Sequence, residues 1–182
     1  LDALSTLNAQ TTDTQSAKGI KAGVDITIDS GNMTIDSADD AIHSNDSLTI
    51  NGGEIQIHSG DDGIHSDGSL TLNNGTVHIQ KSYEGIESSS IAINDGSFHI
   101  ASSDDGINTA GGNDGSSING RPGQNNFDSD DGSHLEINGG EVIVNADGDG
   151  IDVNGTATIN DGLIIVNGPT NDGNGSLDYA GS

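Results

Sequence analysis

The stretch SGDDGIHSDGSLTLNNGTVHIQ, residues 59–80, is one unit of the repeat that decides the fold. Near its start, the tripeptide Asp62-Gly63-Ile64 recurs along the chain in the same form or with close substitutions. The other copies are Asp40-Ala41-Ile42, Glu84-Gly85-Ile86, Asp105-Gly106-Ile107 and Asp149-Gly150-Ile151. Successive copies lie 22, 22, 21 and 44 residues apart, and the last step equals one unit plus an insertion of equal length. A fixed period of this length is typical of a solenoid.

Apolar residues alternate within each unit. In the pairs Leu70/Leu72 and Val77/Ile79 both apolar side chains face inward and the residue between them faces outward, which predicts two short strands. The same pairs recur as Leu48/Ile50, Ile55/Ile57, Ile91/Ile93, Phe98/Ile100, Leu135/Ile137, Val142/Val144 and Ile164/Val166. Ile64 and its equivalents mark a third segment. We therefore predict an all-β, right-handed parallel β-helix with three faces, 22-residue coils and about seven coils.

Glycine and asparagine mark one corner of each coil. Gly75 lies between the two alternating strands, where a turn with positive φ suits a residue without Cβ. Asn73 precedes it by two residues. Stacked coils would bring such asparagines about 4.8 Å apart, in a ladder of side-chain hydrogen bonds.

The chain divides into two parts. Residues 1–17 are predicted to form an N-terminal cap or leader segment, with a short helix at LDALSTL, and residues 18–182 form the β-helix. A loop at about 110–132 lacks alternation and is rich in Gly, Asn, Asp and Ser. Leu177-Asp178-Tyr179 resembles the first strand of a further coil.

Composition limits the classes of partner. The 182 residues contain 29 acidic and four basic side chains, for a formal net charge of −25. This charge argues against nucleic acid and anionic membrane surfaces as partners and favours cations. No segment is apolar enough to cross a membrane, and the absence of cysteine excludes thiolate metal sites.

The repeat predicts a row of carboxylates along one edge of the solenoid. Stacked acids about 5 Å apart repel by roughly 3 kcal/mol at an effective dielectric near 20, so a cation is expected to neutralise them. Calcium fits because it accepts several oxygen ligands in flexible geometry. The predicted ligands of several calcium ions are Asp39, Asp40, Asp61, Asp62, Glu84, Glu87, Asp104, Asp105, Asp147, Asp149 and Asp152.

Other interpretations of this row remain open. A solvated acidic edge with loosely held counterions would have the same sequence. His43 and His65 suggest zinc, but no three histidines come together at zinc-ligand spacing.

The DGI and N-x-G pattern resembles the pectate-lyase-like β-helix superfamily. Together with GPTNDGNGSLDY at 168–179, it resembles more closely a bacterial family of extracellular β-helix proteins that bind calcium and plant cell-wall polysaccharides. The resemblance covers residues 18–182. It implies calcium at acidic corners and a location outside the cell or on the bacterial surface. The matching positions are Asp40, Asp61, Asp62, Glu84, Asp105 and Asp149. The chain departs from the resemblance at Lys18, Tyr83 and Gly148, where no ion or an incomplete shell is expected.

Three functions are weighed. The first is calcium-dependent, non-catalytic binding of acidic or neutral plant cell-wall polysaccharide: polygalacturonate or pectin, with cellulose as a further candidate. The second is a calcium-stiffened structural or adhesive surface solenoid. The third is a weak calcium-dependent polysaccharide lyase, which needs a basic side chain to remove a proton. Its only Lys or Arg candidates are Lys18, Lys21, Lys81 and Arg121, and no catalytic residue is assigned.

Overall fold

The computed structural model describes residues 17–109 and 132–179, together with the backbone of residues 3–4. These residues form 18 β-strands and no helix. The strands are β1 (Ala3–Leu4), β2 (Ile20–Ala22), β3 (Asp25–Ile28), β4 (Asn32–Asp36), β5 (Ile42–Ser44), β6 (Ser47–Ile50), β7 (Glu54–His58), β8 (Ile64–Leu72), β9 (Thr76–Lys81), β10 (Ile86–Ile93), β11 (Ser97–Ser102), β12 (Ile107–Thr109), β13 (His134–Ile137), β14 (Glu141–Ala146), β15 (Ile151–Val153), β16 (Thr156–Ile159), β17 (Leu163–Asn167) and β18 (Asp178–Tyr179).

Each strand pairs in parallel with the equivalent strand of the next turn. One sheet has the order β1-β4-β7-β9-β11-β14-β17, and the other contains the remaining eleven strands. The long strands β8 and β10 bend through a corner and join two faces of the solenoid. The described residues contain about six turns with three segments each, and β18 pairs with β15 as the first strand of a further turn. The all-β parallel solenoid predicted from the repeat is confirmed.

The core is a narrow column of the predicted alternating residues. Leu48, Ile50, Leu70 and Leu72 are at most 1% exposed, and Phe98 is fully buried. Their neighbours in each strand face outward, as in β7, where buried and exposed residues alternate. A thin core repeated in every turn explains how a chain with few aromatic residues folds.

The predicted glycine corner and asparagine ladder are both confirmed. Gly53 and Gly75 have φ values of 110° and 120°, a region that suits glycine. The Nδ2 atom of Asn73 donates to Oδ1 of Asn51 at 2.8 Å, and that of Asn94 donates to Asn73 at 2.7 Å. The ladder continues through Asn138 to Asn160. It fixes the register of neighbouring turns along most of the solenoid.

The N-terminal segment differs from the sequence-based expectation. Ala3 and Leu4 form β1, which pairs with the outer edge of β4, so the predicted helix is wrong at these two residues. A strand satisfies the unpaired backbone of β4, which a helix could not do. The predicted loop lies outside the described residues except for Gly132. In the described part of the chain, no helix is long and apolar enough to cross a membrane.

Candidate functional site

The acidic residues of successive turns line up along one edge of the solenoid, here called the acidic corner. It comprises Asp40, Asp62, Glu84, Asp105 and Asp149 with their flanking side chains. Backbone hydrogen bonds between turns set the alignment. The N–H of Ala41 donates to the carbonyl of Asp62, and the N–H of Gly63 donates to the carbonyl of Glu84. Gly85 and Gly106 continue the series to Asp105 and Asp149. The predicted row of carboxylates is therefore present.

A second row lies three residues further along each turn. Strand pairing places its members in register. In order they are His43, His65, Glu87, Asn108, Asp152 and Asp178. The two rows face each other, so side chains from neighbouring turns combine into clusters.

The first cluster contains its own cation. Lys18 Nζ lies 3.3 Å from Asp39 Oδ1 and also contacts Asp40 Oδ2. His43 Nδ1 lies 2.7 Å from the same Asp40 oxygen. Burial would raise the pKa of Asp40, but His43 and Lys18 hold it well below its usual range. Burial likewise opposes the charge of Lys18, and Asp40 and Asp39 raise its pKa. The ammonium group of Lys18 therefore offsets one of the two carboxylate charges.

Asp61 lies beside this cluster, and little positive charge nearby compensates its carboxylate. The Asp61 side chain is buried, and its Oδ1 has no hydrogen-bond partner among the described residues. One ligand atom from each of Asp39, Asp40 and Asp61 lies within 4.8 Å of the others, so the three can share an ion. Burial and the charge of Asp62 raise the pKa of Asp61 to about 8. A buried carboxylate without a partner is costly, so this position suits a cation or a proton.

The middle of the corner combines carboxylates with imidazoles. His65 Nδ1 lies 3.1 Å from Asp62 Oδ2 and 3.2 Å from Glu87 Oε2, and all three residues are buried. Burial opposes the protonation of His65, but its hydrogen bond to Asp62 and nearby negative charges raise its pKa. Burial raises the pKa of Asp62. Glu84, in the next turn, accepts a hydrogen bond from Asn108 Nδ2 at 3.0 Å.

The C-terminal cluster contains only oxygen ligands. One oxygen from each of Asp105, Asp149 and Asp152 lies within 4.8 Å of the others. Burial, reinforced by neighbouring carboxylates, raises the pKa of Asp105 to about 7 and that of Asp152 to about 6. Among the described residues, no ion pair involves any of the three. Asp178 adds negative charge beside Asp149 and Asp152.

Two local features bear on whether an ion fits this cluster. Asn108 Oδ1 is buried without a hydrogen-bond partner, and Asn108 is in register with Asp152. A Cβ at Gly148 would clash with Asp105 Oδ1 and would lie 2.7 Å from Asp104 Oδ1. Glycine thus keeps space beside these carboxylates. Carboxylate and amide oxygens around such a space fit the ligand preference of calcium.

The remaining predicted ligands lie at the margins. Asp104 is half-buried and raises the pKa of Asp105 through its charge. Asp147 is exposed, and its Oδ1 accepts a hydrogen bond from Thr170 at 3.3 Å. Glu84, Asp104 and Asp147 belong to none of the compact trios. The predicted ligands did not include Asp178, Asn108 or His65. The strand-like segment Leu177-Asp178-Tyr179 could have indicated Asp178, and the spacing of three residues after each acid could have indicated His65 and Asn108.

The basic residues considered for a lyase are poorly placed. Lys18 is held by two carboxylates, whereas Lys21 and Lys81 are exposed. Within the described residues, neither Lys21 nor Lys81 forms an ion pair with the acidic corner. Arg121 lies outside the described residues.

Comparison with known proteins identifies the family. A family model described as "Carbohydrate-binding domain-containing protein" matches residues 2–63 and 59–106, which together make up more than half of the chain. No curated protein and no solved structure gave a significant match. With its parallel solenoid and the matched segments, the chain belongs to the family of carbohydrate-binding domain-containing proteins.

Proposed function

We propose that this protein binds acidic plant cell-wall polysaccharide in a calcium-dependent, non-catalytic manner, outside the cell. The observation that carries the proposal is the C-terminal cluster of Asp105, Asp149 and Asp152, whose oxygens converge without a basic partner among the described side chains. Asn108 and Asp178 extend its oxygen donors. Calcium would supply positive charge that protein and sugar carboxylates can share.

The net charge supports a bridging ion. A chain of charge −25 repels polygalacturonate unless cations lie between them. Aromatic residues make up only 2% of the chain, so stacking on flat rings contributes little to sugar binding. Membership of a carbohydrate-binding family supports a sugar ligand, and the charge balance favours an acidic sugar over cellulose.

Affinity electrophoresis tests the proposal. Native gels contain polygalacturonate, a soluble cellulose derivative or no polymer, each with calcium or with chelator. We expect retardation by polygalacturonate in calcium alone. Retardation on the cellulose derivative regardless of calcium would overturn the ion-bridged mechanism. No retardation on any polymer would leave a calcium-stiffened structural rod as the function.

A matched pair of variants assigns binding to the cluster. Asp152→Asn removes one charge from the C-terminal cluster at nearly constant shape, whereas Asp36→Asn removes one from an exposed strand position. We expect Asp152→Asn to weaken calcium binding at least tenfold in titration calorimetry and Asp36→Asn to leave it unchanged. Equal effects would show that calcium responds only to the overall charge.

A further inference from the structure

We propose that Asp62, His65 and Glu87 form a binding site for a zinc-type divalent ion, separate from the calcium cluster. The three residues come from strands β8 and β10 and from the acid before β8, so the site spans two neighbouring turns. Asp62 is 1% exposed and Glu87 is fully buried. One ligand atom of each residue lies within 4.8 Å of the others.

Two of the three separations between the ligand atoms match a tetrahedral ion. His65 Nδ1 lies 3.1 Å from Asp62 Oδ2 and 3.2 Å from Glu87 Oε2. Ligands at the usual zinc distances of about 2.0–2.2 Å are roughly 3.3 Å apart in a tetrahedron. The third pair, from Asp62 and Glu87, lies within 4.8 Å. A side-chain shift that sets this pair to the tetrahedral separation would place three ligands around one ion and leave its fourth position for water.

The charges of the site favour a divalent ion. When both are ionised, Asp62 and Glu87 bring two negative charges into a buried volume, and an imidazolium at His65 can supply only one positive charge. Asp40, in the preceding turn, is already paired with Lys18 and His43. A divalent ion bound to neutral His65 would balance both carboxylates. Asp62 Oδ1 is buried without a hydrogen-bond partner, which is a second sign that a ligand belongs here.

A carboxylate lies near each nitrogen of the His65 ring. Its Nδ1 faces the two carboxylates, and its Nε2 lies 3.3 Å from Asp67 Oδ1 on the opposite side of the ring. Nε2 has no hydrogen-bond partner among the described residues in this arrangement. A small rotation of the partly exposed Asp67 side chain would let it accept a hydrogen bond from Nε2, and such a bond orients the imidazole and makes the ligating nitrogen more basic. The His43 ring packs against it with centroids 4.7 Å apart. Asp67 is thus a positioning residue.

Ligand type separates this ion from calcium. Calcium takes six to eight oxygen ligands at about 2.3–2.6 Å and does not favour imidazole. One nitrogen and two carboxylate oxygens instead suit zinc and similar transition-metal ions. A search for several histidines misses this site because its ligand set is one histidine and two carboxylates from stacked turns.

Titration calorimetry of the untagged, metal-free chain with zinc tests the proposal. We expect one high-affinity site per chain. His65→Asn should weaken zinc binding at least 100-fold and Asp67→Asn about tenfold. His99→Asn is the control, because His99 stacks on His78 with centroids 4.5 Å apart, away from the site. Cobalt serves as a spectroscopic probe: its visible absorption should indicate four- or five-coordination in wild type and disappear in His65→Asn.

Several results would overturn the proposal. These are no zinc binding by the folded wild type, the same zinc affinity in wild type and His65→Asn, or the same loss in His99→Asn. If His65→Asn fails to fold, Asp67→Asn decides, because the Asp67 side chain is 29% exposed and tolerates substitution. The calcium variant Asp152→Asn should keep full zinc affinity, so the two proposals fail independently.

Discussion

The acidic corner is neutralised differently at its two ends. In the first turns Lys18 contacts Asp39 and Asp40, and imidazoles lie beside the next acids. In the last turns Asp105, Asp149 and Asp152 meet without a basic partner among the described residues. Both regions are built from the same parallel pairing of strands in successive turns. The chain itself therefore balances part of the acidic row at one end, whereas the row at the other end depends on solvent cations.

The largest expected effect is that of pH on the metal-free protein. Burial and nearby carboxylates raise the pKa of Asp61 to about 8, of Asp105 to about 7 and of Asp152 to about 6, all from 3.8. Between these values the folded state binds more protons than the unfolded chain. The free energy of unfolding should therefore fall as the pH rises from about 4 to about 8.

Thermal melts in chelator across this range measure the effect. Two of the three groups lie in the C-terminal cluster, so amide hydrogen exchange should show the last turns opening first. Calcium should remove most of the dependence on pH. A melting temperature that rises with pH in chelator would contradict the assigned burial of these carboxyls.

Lys18→Met would make the N-terminal region resemble the C-terminal one. Removing the ammonium leaves Asp40 buried with less compensation, and we expect a loss of about 3 kcal/mol in the free energy of unfolding in chelator. Calcium should restore part of this loss, because Asp39, Asp40 and Asp61 could then share an ion. Chemical denaturation with and without calcium checks both parts. Lys21→Met, at an exposed position, is the control and should change neither.

Gly148→Ala tests the space beside the C-terminal carboxylates. The added Cβ would press on Asp104 and Asp105, at an expected cost of about 2 kcal/mol and with reduced calcium affinity. Gly23→Ala is the matched control, since nothing lies within 4 Å of a Cβ at that position. Calcium titration of both variants is the measurement. Full calcium affinity in Gly148→Ala would place the ion elsewhere.

The asparagine ladder should behave alike in both regions. Asn73 and Asn138 each donate to one neighbouring asparagine and accept from another. Asn73→Ala and Asn138→Ala should each lower the free energy of unfolding by about 1 kcal/mol, with or without calcium. The effect is small because exposed amide hydrogen bonds contribute little net stability. Denaturant titrations compare the two. A calcium-dependent difference between them would mean that the halves differ in more than the acidic corner.

Most of the fold followed from the repeat. A fixed period with alternating apolar residues determines which residues stack, so the core, the glycine turns and the ladder were all predictable. The acidic row was predictable for the same reason. The N-terminal segment was not, because LDALSTL lacks the period and its pairing with β4 depends on a distant edge.

The chemistry of the corner was harder to predict. Periodicity places Cα atoms in rows but does not decide how far Lys18 reaches or which way the His65 ring turns. Asp178 was missed as a member of the row because the last step is longer: a further 22 residues from Asp152 lead to Asn174, whereas β15 pairs with Asp178. The segment before β18 adds residues to the turn and shifts the period.

Each cluster at the corner joins residues of neighbouring turns, and this has a consequence for how the molecule forms. A single turn carries at most part of any cluster, so Asp62 gains Glu87 only when the next turn docks. Folding of such a chain extends by zippering from a nucleus, one turn at a time. Ions would bind after each docking step and slow its reversal. The cation concentration would then control how many turns dock, with little influence on where folding starts.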